Sequence, residues 1–452
     1  MNKYLNKAIP YLKDVTQYAE KAVKFLDNDY VLCFLLIPFF KPICFQYISF
    51  LQWLDTVFVI WKVAAAAICY LLLFSFVLLK SKVPKLVVLV IVFEAVITLS
   101  TLVHQGNLFR ALIEAVSITA YVSLLVLGFM YNRARILWIM SRLLGILMMI
   151  NLLSSLCFPS GIPADLYTNA ENPLFFMVID NGSAFFLIYC IVFFVIEGLC
   201  SRGTLDAPRI IMILCGLLSA VLSHSATAIT AVALMIAACF FIFYTDYLKR
   251  LNPIIPFALY AVFSVFLITL QNNAVFGFIL ENVFHRSPTI TGRSDLWETA
   301  IAMIMKQPML GYGRGFHDYI PAWGGYYSSH NYMLEILLQG GIIAFVLFVI
   351  LILYAVRKSL YTGRDKMTSC MIWGLLSILI AALMEAEVHS VYIFGCITLC
   401  VLSPYLEDKW KKNERKKKKH VSKKLIKRDH SNIQRTKVSE KNDDNAGSAD
   451  IS

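Results

Sequence analysis

The residues able to do polar chemistry collect in one stretch, Asn272 to His330. Within it, Thr291-Gly292-Arg293-Ser294-Asp295-Leu296-Trp297-Glu298 opens a predicted helix, Gly311-Tyr312-Gly313-Arg314-Gly315 follows, and Ser329-His330-Asn331 closes the run. A guanidinium stays charged at any working pH and holds an oxyanion through paired donors. An imidazole, which ordinarily titrates near about 6.5, can accept a proton at neutrality. Each piece also has a plainer account. Arg293 can simply pair with Asp295 or Glu298, the glycine run lacks the Lys-Ser/Thr of a phosphate loop, and His330 stands where an interfacial polar residue is expected. Further candidate bases are Glu298, Asp318 and the short turn Glu385-Ala386-Glu387-Val388-His389, which reads either as an acceptor site or as a solvated turn. The expected outer loops hold no Asp-x-Asp pair, so neither a metal nor any other cofactor is expected.

The elements that must position these groups are apolar helices. Of 452 residues 59% are hydrophobic and only 15% charged, with a mean hydropathy of +0.68. Soluble chains are about 45–50% apolar and about 25% charged, so secreted, cytosolic and disordered classes are excluded. Apolar runs recur from Val31 to Leu406, and each is long enough to cross about 30 Å of hydrocarbon. The expected fold class is therefore all-α: a polytopic membrane protein of about 12 transmembrane helices, with a large extracytoplasmic loop containing short helices. Lys41-Pro42 interrupts the first run and leaves open whether it crosses or is broken. Between Asp295 and Glu298 the spacing is that of a capping box, and Leu296, Trp297, Ala300, Ile301 and Ile304 form one apolar stripe ended by Pro308.

Basic residues set the orientation. Among 41 Lys/Arg, the expected outer segments hold Arg110, Arg286, Arg293, Lys306 and Arg314. Lys41, Lys62 and Arg142 lie inside apolar runs, and all the others fall on the opposite side, which places both termini in the cytoplasm. Lys62 and Arg142 read as snorkelling cations or as the lining of a sugar-phosphate groove. The net charge of +12 sits mostly in the tail from Lys409 onward. Beside a membrane helix that charge marks a flank held at anionic lipid rather than a nucleic-acid site. The expected layout is a cytoplasmic amphipathic segment over 1–30, transmembrane helices over 31–271, an extracytoplasmic loop over 272–330, three more transmembrane helices over 331–406, and a basic disordered cytoplasmic tail over 407–452. The 11 cysteines lie mostly within apolar runs and read as small hydrophobes.

The ordered pattern Arg293, Trp297, Ala300, Pro308, Gly311, Gly313, His330-Asn331 and Gly340-Gly341 resembles the O-antigen ligase and Wzy-type polysaccharide polymerase family, bacterial membrane glycosyltransferases with lipid-linked donors. The resemblance implies transfer of glycan from undecaprenyl diphosphate to a sugar hydroxyl of a lipid-linked repeat unit, on the outer face of the bacterial cytoplasmic membrane, for a capsule or exopolysaccharide. It implies His330 as general base or acceptor-orienting group and Arg293 and Arg314 on the donor diphosphate. Asn331, Arg110, Glu385, Glu387 and His389 are the further candidate substrate-binding residues. A chain-length regulator and a flippase are the implied partners. Ser223-His224-Ser225-Ala226 places Ala226 where the ligase branch commonly has arginine, and Arg110 is the candidate replacement. The nearest rival is a ligase moving finished glycan to another acceptor. From another class, a lipid-linked oligosaccharide flippase would have as many spans but little outer loop.

Overall fold

The computed structural model describes residues 17, 19–163, 173–179, 182–245, 247–270, 293–324, 328–362, 365–386 and 391–406. The expected amphipathic start of the chain up to Thr16, all of the loop over 272–330 that precedes Arg293, and the tail from Glu407 lie outside them. Among the described residues the fold is helical, with one isolated bridge between Leu174 and Ile179. The helices are α1 (Asp29–Leu36), α2 (Cys44–Tyr47), α3 (Gln52–Lys80), α4 (Lys85–Val103), α5 (Leu108–Cys157), α6 (Ser183–Arg202) and α7 (Ala207–Leu222). They continue as α8 (Ala226–Tyr244), α9 (Tyr247–Arg250), α10 (Ile254–Leu270), α11 (Arg293–Lys306), α12 (Tyr332–Thr362), α13 (Lys366–Ala381) and α14 (Val391–Leu406). Among the described residues six helices are long and apolar enough to cross a membrane, and five shorter apolar ones accompany them.

Helix α6 is buried along nearly its whole length, which suits a sequence that is hydrophobic on every side. It packs against α5, α7, α8 and α13. Outward-facing Ile, Leu, Val and Phe side chains are widespread on α3, α5, α8, α10 and α12, as lipid contact requires.

Two helices are not what their lengths suggest. The 50-residue α5 contains a non-helical Asn132 (φ −145°, ψ 76°). Its Gly128 lies directly against Ile136, residues that a straight helix would hold about 12 Å apart. The chain therefore doubles back at Asn132, between the two basic residues Arg133 and Arg135 and the end of the preceding apolar run. The first apolar run is broken: α1 passes into a 3-10 turn (Ile37–Phe40), and Lys41-Pro42 separates it from α2. Lys41 Nζ is paired with Asp55, so the cation at the break is neutralised by the start of α3.

The connections sort into two sets. In the first, Cys44 N donates to the Phe176 carbonyl (3.3 Å), Arg314 N to Thr101 Oγ1 (2.8 Å) and Asn331 Nδ2 to the Leu383 carbonyl (3.1 Å). In the second, Arg135 pairs with Asp29 (2.7 Å), Arg202 with Asp206 (2.8 Å), and Lys366 Nζ donates to the Phe243 carbonyl (3.4 Å). Each of these contacts joins segments that the distribution of basic residues puts on the same side.

Candidate active site

The scaffold of the site is an interlock between a loop and a broken helix. Helix α12 has 31 residues, about 46 Å at 1.5 Å per residue, more than the hydrocarbon needs. At Gly341 (φ 62°, ψ −164°) it breaks. The bonds that a continuous helix would make from residues 342 and 343 to the carbonyls of 338 and 339 are replaced by bonds to the loop that follows α11. Ile342 N donates to the Pro308 carbonyl (2.8 Å) and Ile343 N to Met309 (3.4 Å), while the freed carbonyls of Leu338 and Gln339 accept from Tyr312 N (2.6 Å) and Gly313 N (2.9 Å). All four backbone groups at the break are thereby satisfied. The approach requires glycine: Gly341 and Gly311 have φ of 62° and 64°, and a Cβ on either would strike backbone atoms of the opposing segment, while Gly313 (φ 88°) lies equally close to the backbone of Thr101 on α4.

The α11 stripe packs on this interlock. Leu296, Trp297, Ala300 and Met303 are buried with Tyr312, Phe316, Trp323, Leu334 and Leu338. The stripe therefore includes Met303, and Ile301, expected within it, is exposed. The helix already includes Arg293, which puts Asp295 inside its first turn rather than at the cap expected from the spacing; an acid there is favoured by the helix dipole. Burial pushes the Tyr312 phenol up, and burial beside Asp318 pushes that of Tyr319 up to about 12. Both stay protonated near neutrality, and Tyr319 donates to the Tyr312 carbonyl.

His330 sits at the head of α12 with a left-handed backbone (φ 47°). Its Nδ1 is 3.2 Å from Glu385 Oε1 and 3.4 Å from Oε2, and its side chain is 39% exposed. Two groups weighed as rival bases are thus one pair, brought together across 55 residues of sequence. A proton on Nδ1, donated to the carboxylate, leaves the Nε2 lone pair free. Asn331 is fully buried: its Oδ1 accepts from Met333 N and Leu334 N and its Nδ2 serves the Leu383 carbonyl. It caps α12 and ties it to the turn carrying Glu385, and all its donors and acceptors named here face protein.

Arg314 takes a position the sequence did not suggest. It is only 2% exposed, with Nη2 2.6 Å from Glu94 on α4, Nη1 donating to the Ala111 carbonyl (3.0 Å), and Nε 3.5 Å from Glu114 on α5. The guanidinium clamps the loop to two helices and faces no open space. Arg110, half exposed, pairs with Glu114 and with Asp318 (both 3.3 Å). Arg293 stands at the first position of α11, one turn before Trp297, whose Nε1 donates to the Ser329 carbonyl (2.9 Å) beside His330. The side chain of Arg293 lies outside the described residues, as do Glu387 and His389. Ala226 begins α8 and is exposed, with Ser225 capping that helix through Ala228 N. Lys62 feels the charges of Lys41, Glu114 and Asp55, and Arg142 lies over the Trp138 ring (5.6 Å).

Sequence reasoning passed over Glu94, Glu114 and Glu335. Each is an acid inside an apolar run, and an ionisable residue there is paired or functional by default.

No curated protein matches the chain. Residues 211–349 match the family model described as O-Antigen ligase, a segment that holds Arg293, Arg314, His330 and both sides of the interlock but stops short of Glu385. The match supports, at that coarse level, a membrane glycosyltransferase-like function in glycan assembly. Residues 211–349 are thus similar to the O-antigen ligase domain, and over that segment the match supports the resemblance to the O-antigen ligase and Wzy-type family.

Proposed function

We propose that this protein is a polysaccharide polymerase that transfers glycan from undecaprenyl diphosphate to a hydroxyl of a lipid-linked repeat unit, at the outer face of a bacterial cytoplasmic membrane. The observation that carries the reading is the His330–Glu385 pair, a histidine–carboxylate arrangement whose histidine lies in the family-matched segment. The acceptor hydroxyl attacks the anomeric carbon, the bond from that carbon to the diphosphate oxygen breaks, and the hydroxyl proton passes to His330 Nε2. The imidazolium so formed is stabilised by Glu385 through Nδ1–H, and the electron pair of the broken bond leaves on the diphosphate. Negative charge growing there needs a fixed cation, a role we give to Arg293, with Arg110 at the entrance. The enclosed Arg314 holds the loop in register with α4 and α5.

Sidedness is supported by the sorting of connections into two sets, the set bearing His330 being the one poor in basic residues. On this reading the six long helices, with α5 counted as a folded pair, and the shorter apolar ones make about twelve crossings, with both termini inside. A flippase that delivers repeat units and a chain-length regulator are the partners such a reaction would have.

A ligase that passes finished glycan to another acceptor takes support from the match of residues 211–349 to the O-Antigen ligase family. Deleting the gene and sizing the lipid-linked glycan separates the readings. Accumulated single repeat units mean a polymerase, long unattached chains mean a ligase, and units trapped on the cytosolic side mean a flippase.

A further inference from the structure

His330 holds a left-handed backbone conformation (φ 47°) that is unfavourable for a non-glycine residue, so the surrounding contacts must impose it. They converge on Ser329. Its carbonyl accepts from Trp297 Nε1 (2.9 Å), and both its N–H (2.9 Å) and its hydroxyl (2.8 Å) donate to one oxygen, Glu335 Oε2. The other oxygen, Oε1, accepts from Gln339 Nε2 (3.0 Å). Glu335 is one turn into α12 and buried, as are Ser329 and Gln339. Three donors, two from the residue beside His330 and one from the helix below it, end on this single carboxylate. A buried carboxylate is tolerated only when its acceptors are filled, and here the residue filling most of them is the one that aims the imidazole.

We infer that Glu335 is a positioning residue of the transfer reaction, fixing the Ser329-His330 turn so that the imidazole reaches Glu385 on one side and the acceptor on the other. The inference rests on the proposed role of His330. Glu335 itself lies beneath the turn and acts through Ser329. What matters on this account is the reach of its acceptor oxygen, and this separates two conservative variants. In Glu335→Gln the amide oxygen can still accept from Ser329, and a half-turn of the Gln339 amide brings its otherwise unpartnered Oε1 to the new NH2 group. Glu335→Asp keeps the charge but is one methylene shorter, withdrawing the oxygen from both Ser329 donors.

The test uses full-length protein in liposomes, with lipid-linked glycan extracted from a gene-deletion strain as donor and acceptor, and compares rates at saturating and limiting donor. Glu335→Gln is expected to keep its saturating rate within about threefold of the parent. Glu335→Asp is expected to lose about 10²-fold in that rate, the size of loss that a displacement near 1 Å produces, with little change in apparent KM. The reverse order, Asp active and Gln inactive, overturns the proposal in favour of a requirement for charge, and so does an Asp variant as fast as the parent. Should the Asp variant fail to fold, loss of activity in a folded Gln variant is by itself sufficient to overturn it. His330→Ala is run in parallel. Activity in that variant refutes the role of His330, whereas an inactive His330→Ala beside a fully active Glu335→Asp refutes the Glu335 proposal alone.

Discussion

Replacing Arg314 by methionine tests how the loop is held. The guanidinium and Glu94 are each 2% exposed and 2.6 Å apart, and the same side chain supplies the Ala111 carbonyl with its donor. Removing one member of a buried pair leaves the other charge uncompensated, at a cost of about 3–5 kcal/mol. Against a native margin of about 5–15 kcal/mol, that is a large share. Arg314→Met should therefore lower the melting temperature in detergent and reduce the amount of protein in the membrane. Exchanging both members for apolar residues of similar volume is often neutral or better, and Glu114, which Arg314 also approaches, keeps Arg110 as a partner (3.3 Å). The double variant Arg314→Met, Glu94→Met should regain most of the lost melting temperature, and with it polymer in a complemented deletion strain. Thermal unfolding with parallel sizing of the glycan measures both. A double variant that melts like the parent and makes no polymer would refute the reasoning, because it would make the Arg314 guanidinium a ligand of the donor. A single variant with unchanged melting would refute the energetic argument itself.

Glu385→Gln should leave the protein folded and slow transfer by about 10²- to 10⁴-fold, read as the rate at saturating donor, since it removes the charge that steadies the imidazolium. Arg293→Lys keeps the charge and loses the bidentate fork, so it should raise the donor concentration needed for half-maximal rate; unchanged donor dependence would remove Arg293 from the site. Gly311→Ala and Gly341→Ala, each at positive φ with the opposing backbone of the interlock in the way of a Cβ, should lower melting well beyond the strain cost of about 1–2 kcal/mol. Gly203→Ala, also at positive φ but with nothing within 4 Å, should cost only the strain. Equal effects at the three positions would count against the interlock.

The helical class and the two-sided arrangement of connections were legible because hydrophobic run length and basic residues at helix ends report directly on lipid and on translocation. Arg133 and Arg135 mark the reversal inside α5, and Lys41-Pro42 marks the break after α1. The site was legible only in part. Gly311, Gly313 and Gly340-Gly341 stood out in the sequence, but nothing local says that two segments about 30 residues apart exchange backbone hydrogen bonds. Taken alone, a glycine run is a flexible turn. Arg314 read as an open cation because its partners Glu94 and Glu114 lie about 200 residues earlier, in runs otherwise apolar. A charge in such a run requires a partner somewhere, and that rule, applied to Glu94, Glu114 and Glu335, would have pointed to buried pairing in advance. His330 and Glu385 were both singled out, but as competitors. That one orients the other depends on how α12 meets the end of α13, where Tyr332 N donates to the Ala382 carbonyl (2.9 Å).

The most direct measurement is complementation of a gene-deletion strain with His330→Ala at normal protein level in the membrane, followed by sizing of the lipid-linked glycan. If His330 takes the acceptor's proton, this strain accumulates the same short lipid-linked units as the deletion itself. Polymer of the parental length distribution in that strain would contradict the account.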